Sequence, residues 1–137
     1  MEFATMAYAA RVDNLDEATG FVEGCADRFG LDKKRTFGLL IALEEAFVNV
    51  CHYAYPGGEG EVELACGGEE GAFILEITDS GVAFDILSLP DPDTTADIME
   101  RDIGGLGVHF IRKFTDDVIY RREDGRNILR MVLHVTT

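Results

Sequence analysis

The sequence predicts an α+β fold, a two-layer sandwich in which helices cover one face of a mixed, mostly antiparallel sheet. Three observations predict it. Two helical stretches follow one another between residues 13 and 54, two alternating runs flank a glycine-rich turn at 67–71, and a second pair of such runs surrounds Glu123-Asp124-Gly125-Arg126 near the end of the chain. With 137 residues, 47% of them hydrophobic, the chain is expected to form one domain over residues 1–137 with a core of its own.

Residues 3–8 read as an opening strand. Asp13 or Asn14 is placed to cap a helix that runs to Phe29 and stops at Gly30. Asp32 then caps a second helix, through Ala54, with Phe37, Leu40, Leu43, Phe47, Val50 and Cys51 on a broad apolar arc, so this helix is expected to be buried. At about 100° per residue, Gly38, Ala42, Glu45 and Asn49 share the opposite, narrower side, where small side chains leave room for a ligand. Glu44 falls inside the apolar arc, and the sequence offers no reason for it. Pro56-Gly57-Gly58 ends the helix. Residues 61–66 and 72–78 alternate as strands, with 67–71 as a loop or hairpin turn. Residues 80–105 are poor in apolar side chains and hold Pro90 and Pro92, which predicts a long loop of the lid kind. Helical periodicity resumes at 106–114, and strands are expected at 117–122 and 127–135.

A formal charge of -14, from 26 acidic and 12 basic residues, argues against nucleic acid or an anionic membrane as partner and favours a basic protein surface. An anionic ligand would need a divalent cation to screen it. Cys25, Cys51 and Cys66 are odd in number and lack CxxC spacing, so they are expected to be buried free thiols. No basic leader and no run of membrane-spanning length is present, which gives a cytoplasmic expectation.

Three segments carry candidate chemistry. Glu45 and Asn49 lie one helical turn apart and can aim a carboxylate and an amide oxygen into one cleft; the bland alternative is a polar pair on a solvated face. On a mostly apolar helix such groups need partners, and a Mg²⁺ ion with its phosphates would supply them, with Asn49 as the hard neutral ligand and Glu45 left for proton work. Asp79-Ser80-Gly81 follows a strand and is either an ordinary turn or an acceptor for an adenine amine with bare backbone beside the base. Gly104-Gly105-Leu106-Gly107 at a helix start is either a hinge or a set of unpaired amides that hold phosphate, with Arg101 just before it. Without Gly-Lys-Ser/Thr it is not a Walker loop. Together the segments read as an ATP-Mg²⁺ site. His52, His109 and His134 form no metal pair; His109 and His134 read as structural, and His52 shares the Asn49 face.

The order of these motifs resembles the GHKL, or Bergerat-fold, ATPases, and within them the small anti-sigma factor serine/threonine kinases. The stretch from Ala42 to Asn49 is similar to that family's N box, Asp79-Ser80-Gly81-Val82-Ala83-Phe84-Asp85 to its adenine box, and Ile103-Gly104-Gly105-Leu106-Gly107-Val108 to its phosphate box. Residues 87–101 resemble its lid, and the likeness covers nearly the whole chain. The resemblance implies that Asn49 coordinates Mg²⁺, that Asp79 binds the adenine amine, and that Glu45 is the base for an incoming hydroxyl. It further implies nucleotide contacts from Gly81, Ala83, Phe84, Arg101, Gly104, Gly105, Leu106 and Gly107. The implied partners are a STAS-domain anti-anti-sigma protein, a sigma factor and a second copy of the chain. Tyr53 stands where the family often has a histidine, with His52 one step earlier. Two other readings remain open: a nucleotide-gated binding module without catalysis, and the detached ATP-binding domain of a sensor histidine kinase.

Overall fold

The structure, a computed structural model, describes residues 3–88 and 103–135, the side chains of 103–106 excepted. In chain order it contains β1 (Ala4–Ala9), a 3-10 turn (Val12–Asn14), α1 (Leu15–Phe29), α2 (Lys33–Tyr53), β2 (Glu61–Glu69), β3 (Ala72–Asp79), a second 3-10 turn (Ile86–Ser88), α3 (Ile103–Phe114), β4 (Asp117–Glu123) and β5 (Arg126–His134). The five strands lie in the order β1-β2-β3-β5-β4, every neighbouring pair antiparallel. The expected sandwich is therefore present, with an antiparallel rather than a mixed sheet among the described residues.

Period-two alternation sends Val62, Leu64 and Cys66 of β2, Phe73, Leu75 and Ile77 of β3, and Leu129, Met131 and Leu133 of β5 into one buried layer. The helices meet it with Ala18, Val22 and Ala26 of α1, Leu39, Leu43 and Phe47 of α2, and Val108 and Ile111 of α3. Gly30 ends α1 in the left-handed conformation, at φ 95°, and donates its N–H to the Ala26 and Asp27 carbonyls. The Asp32 carboxylate caps α2 by accepting from the Arg35 N–H at 2.7 Å. Asn14 does not cap α1 with its side chain; its amide turns back and donates to the Ala9 carbonyl at 2.9 Å, tying β1 to the helix start.

Several boundaries and faces differ from the sequence expectation. Gly67 and Gly68 belong to β2, and the turn shrinks to Glu70-Gly71, both at positive φ (47° and 79°), as a two-residue hairpin requires. Gly68 extends the strand because its bare backbone receives the Phe29 ring: a Cβ there would lie 2.1 Å from it. Asp124-Gly125 makes the equivalent turn between β4 and β5. Along α2 the buried arc is centred on Leu39, Ala42, Leu43, Ala46 and Phe47, one step round from the predicted arc. Phe37 is accordingly 68% exposed and Glu44 is exposed, which removes the puzzle of a carboxylate in the core. Gly38 and Ala42 are buried and leave no ligand space, since the Phe114 ring fills the position above Gly38. Residues 89–102 of the expected lid lie outside the described residues.

At the end of β3 the chain presses against the end of α2. Val82 donates its N–H to the Ala54 carbonyl at 2.8 Å, and a Cβ on Gly81 would stand 2.1 Å from that same oxygen. No side chain fits without parting backbone from backbone. Gly81→Ala is expected to lower stability by roughly 1–3 kcal/mol, the usual cost of overpacking, read as a fall in urea midpoint at unchanged slope. An unchanged midpoint would show that this contact does not hold the two elements together.

Candidate functional site

Asn49 sits in the last turns of α2 and Asp79 closes β3; the Gly81 contact brings them to one cavity, lined also by Val50, Ala54, Phe84, Tyr120 and Asn127. Its volume is about 40 Å³, the size of a floor rather than of a whole nucleotide site. Larger is the groove of about 520 Å³ between α1 and α2, lined in part by Glu23, Asp27, Phe37 and Leu40, but it holds none of the sequence candidates.

Asp79 is 7% exposed, and so is Asn127; they are the only buried polar side chains among the described residues. They stand directly opposite each other on β3 and β5, and Arg122 faces Asn127 from β4, so one cross-strand row carries all three. The Asn127 amide donates to Asp79 Oδ1 at 2.9 Å and to the Val82 carbonyl at 2.8 Å. Its oxygen accepts from Tyr120 Oη at 2.6 Å, from the Phe84 N–H at 3.2 Å and from Arg122 at 3.2 Å. Asp79 Oδ1 also accepts the Gly81 N–H at 2.9 Å. Both bonds reach Oδ1, and Oδ2 carries none among the described residues. A buried carboxylate with a free oxygen on a cavity can accept one more donor.

Sequence reasoning missed Asn127. The signal was present, because Asn127 occupies the inward phase shared by Leu129, Met131 and Leu133, where a polar side chain is out of place.

Glu45 lies one turn before Asn49, about 6 Å along the helix and 40° round it, and faces α3 instead of the cavity. A Cβ on Gly107 would come 3.2 Å from Glu45 Oε2, so the glycine leaves the carboxylate its place. Glu45 is thus one turn from Asn49 on α2 but is not among the residues that line this small cavity. Helix α3 begins at Ile103, not Leu106, so Gly104 and Gly105 form its first turn, where backbone N–H groups have no intrahelical acceptor. Ala83 is exposed, Phe84 is half-buried with its ring 6.1 Å from that of Tyr53, and Arg101 lies outside the described residues. His52, His109 and His134 are exposed, and none lines the cavity. Cys25 and Cys66 are buried and Cys51 half-buried, all free thiols; burial pushes the Cys66 thiol up.

Among the described residues no three His, Cys, Asp or Glu side chains converge as a metal cage. Asn49 lines the cavity and its side chain, which offers a hard oxygen, makes no hydrogen bond among the described residues, so it fits a cation that takes most of its ligands from phosphate and water.

Comparison with known proteins agrees in two steps. The fold resembles the solved structure of the Acinetobacter baumannii histidine kinase AdeS, at 15% identity and a TM-score of 0.51, over 100% of this chain and 70% of that one. Residues 8–133 match the family described as histidine kinase-like ATPase domain, and the chain belongs to that family. Among curated relatives it is similar to the serine-protein kinase RsbW of Bacillus cereus strain AH820 and of Bacillus anthracis, each 27% identical over 110 residues, covering 77% of this chain and 69% of the relative. The RsbW of Bacillus cereus strain G9842 is 28% identical over the same extent. No helix among the described residues is long and apolar enough to cross a membrane.

Burial, and after it the neighbouring Glu44, raises the Glu45 pKa above the usual 4.5. A carboxyl raised in this way holds its proton longer folded than unfolded. Its favourable contribution is complete below 4.5 and is lost as pH rises through the raised value. Glu45→Gln is therefore expected to melt above the wild type at about pH 7.5, with the gap closing below 4.5. A gap of equal size at both pH values would contradict a desolvated carboxylate.

Proposed function

We propose that this protein is an ATP- and Mg²⁺-dependent protein serine/threonine kinase of a partner-switching pathway, acting in the cytoplasm as a homodimer. It phosphorylates a hydroxyl of a STAS-domain anti-anti-sigma protein and acts as an anti-sigma factor by binding a sigma factor. One observation carries the reading: Asn49 and the buried Asp79, whose Oδ2 carries no hydrogen bond among the described residues, line the same cavity, while Glu45, one turn earlier on α2, lies against Gly107 of α3. Similarity to serine-protein kinases supports the reaction class.

In this reading Asp79 accepts the adenine amine, and the backbone from Gly81 to Phe84, including Ala83, walls the base. The free first-turn amides of α3, at Gly104 and Gly105, donate to phosphate, with Leu106 and Gly107 lining the nucleotide and Arg101 assisting. Bound Mg²⁺ supplies charge neutralisation across the phosphate oxygens, with Asn49 as its protein ligand. Glu45 orients the partner's hydroxyl and accepts its proton as the oxygen bonds to the terminal phosphorus and the bond from that phosphorus to the bridging oxygen breaks, releasing ADP. Its raised pKa suits that task, since a base works best when its pKa approaches the working pH.

Incubation with ATP, Mg²⁺ and the STAS-domain partner should add one phosphate to that partner. Glu45→Ala is expected to slow transfer by about 10²–10⁴-fold while ATP binding persists. Asn49→Ala is expected to lose Mg²⁺-dependent ATP binding and transfer together. Full ATP affinity in the Asn49→Ala protein would remove the metal assignment, and binding without any transfer by the wild type would favour a nucleotide-gated module.

A further inference from the structure

We propose that Asn127 is the positioning residue that makes this site select adenine over guanine, by holding the Asp79 carboxylate in one orientation at the cavity. The inference rests on the reading of Asp79 as the residue that meets the base.

The orientation of Asn127 is fixed by its own neighbours. Its oxygen receives the Phe84 N–H and the Arg122 guanidinium, both of which can only donate, together with Tyr120 Oη. Turning the amide over would set its NH₂ against those donors, so Nδ2 must point at Asp79 and the Val82 carbonyl. Asp79 Oδ1 then has two donors, the Asn127 amide and the Gly81 N–H. Those bonds fix the rotation of a carboxyl that is 7% exposed. The remaining oxygen offers lone pairs only. The 6-amine of adenine donates to it, whereas the 6-oxo group of guanine meets it lone pair to lone pair. A site with an unmatched buried acceptor rejects the wrong partner more strongly than apolar fit can.

Without Asn127 the carboxyl loses one of its two donors and the contact that fixes its rotation, so its acceptor is no longer held toward the 6-amine. Selection should then relax. The titratable and charged groups around the pair are Arg122 and Tyr120 on β4, with Glu45 one turn from Asn49; α2 presents the neutral Asn49 and Val50 to the cavity.

The test measures ATP and GTP affinities, with Mg²⁺, for the purified full chain and for Asn127→Leu, Asn127→Asp and Asp79→Asn at about pH 6 and pH 8, with melting temperatures alongside. Asn127→Leu should lower the ATP-to-GTP preference by about tenfold or more. Asn127→Asp keeps the shape but places two carboxylates at hydrogen-bond distance, which share one proton. Its ATP affinity should therefore fall from pH 6 to pH 8 relative to the wild type, a profile that mere loosening of the fold does not produce. If Asn127→Leu does not fold, the Asn127→Asp profile decides. Asp79→Asn should abolish the preference. If it does so while both Asn127 variants keep wild-type preference and pH profile, the role of Asn127 is overturned and the adenine reading stands. If Asp79→Asn leaves both affinities unchanged, the adenine reading fails and this inference with it.

Discussion

The approach of Gly81 to Ala54 is the constraint on which the site depends. A helix ends with carbonyls that lack intrahelical donors, and here Ala54 finds one in the Val82 N–H at 2.8 Å. The bond requires backbone to lie on backbone, and Gly81 alone permits it. Once the end of β3 is fastened to the end of α2, Asn49, five residues before Ala54, has to face the carboxylate that closes the strand. The cavity is thus a consequence of chain packing and is set before any ligand arrives.

That fastening would be of little use if the carboxylate were free to turn. Burying a charge is costly unless it is hydrogen-bonded, and Asp79 is held by the Gly81 N–H and the Asn127 amide within a row of cross-strand neighbours. Arg122 completes the row from the exposed side, donating to the Gly81 carbonyl at 2.9 Å and to Asn127. The same few residues therefore satisfy the buried polar groups and pin residues 81–84. The exposed Arg122 brings positive charge into the network without itself being desolvated.

Much of this was legible in the sequence, for identifiable reasons. The strands and helices follow from alternation and capping, and Asp32, Gly30 and the Asp-Gly turn did locally what their chemistry predicts. Local rules failed where a distant residue decided the outcome. Gly67 and Gly68 read as a loop because nothing nearby announces that Phe29 will cover the strand. The buried arc of α2 was placed one step off because the apolar Phe37 outweighed the small residues Ala42 and Ala46, which the closely packed layer in fact needs. Gly104 and Gly105 read as preceding the helix because glycine disfavours helix interiors, whereas they form its first turn. Asn127 escaped notice because its importance comes from cross-strand register, a property of three strands rather than of one motif.

The separation of Glu45 from the Asp79 cavity has a consequence for the proposed chemistry. With the base of a nucleotide at Asp79, its phosphates must travel along α2, past Asn49, to the first turn of α3. Glu45 waits at that far end, against Gly107. In that reading the base lies at Asp79 beyond one end of a turn of α2 and the proton acceptor Glu45 at the other, with the metal ligand Asn49 between them. Burial, and after it the neighbouring Glu44, raises the Glu45 pKa, and Glu45 does not line the Asp79 cavity, so the two ends can be tuned independently. In the proposed reading, the four-residue spacing of Glu45 and Asn49 on α2 sets how far the metal ligand stands from the proton acceptor.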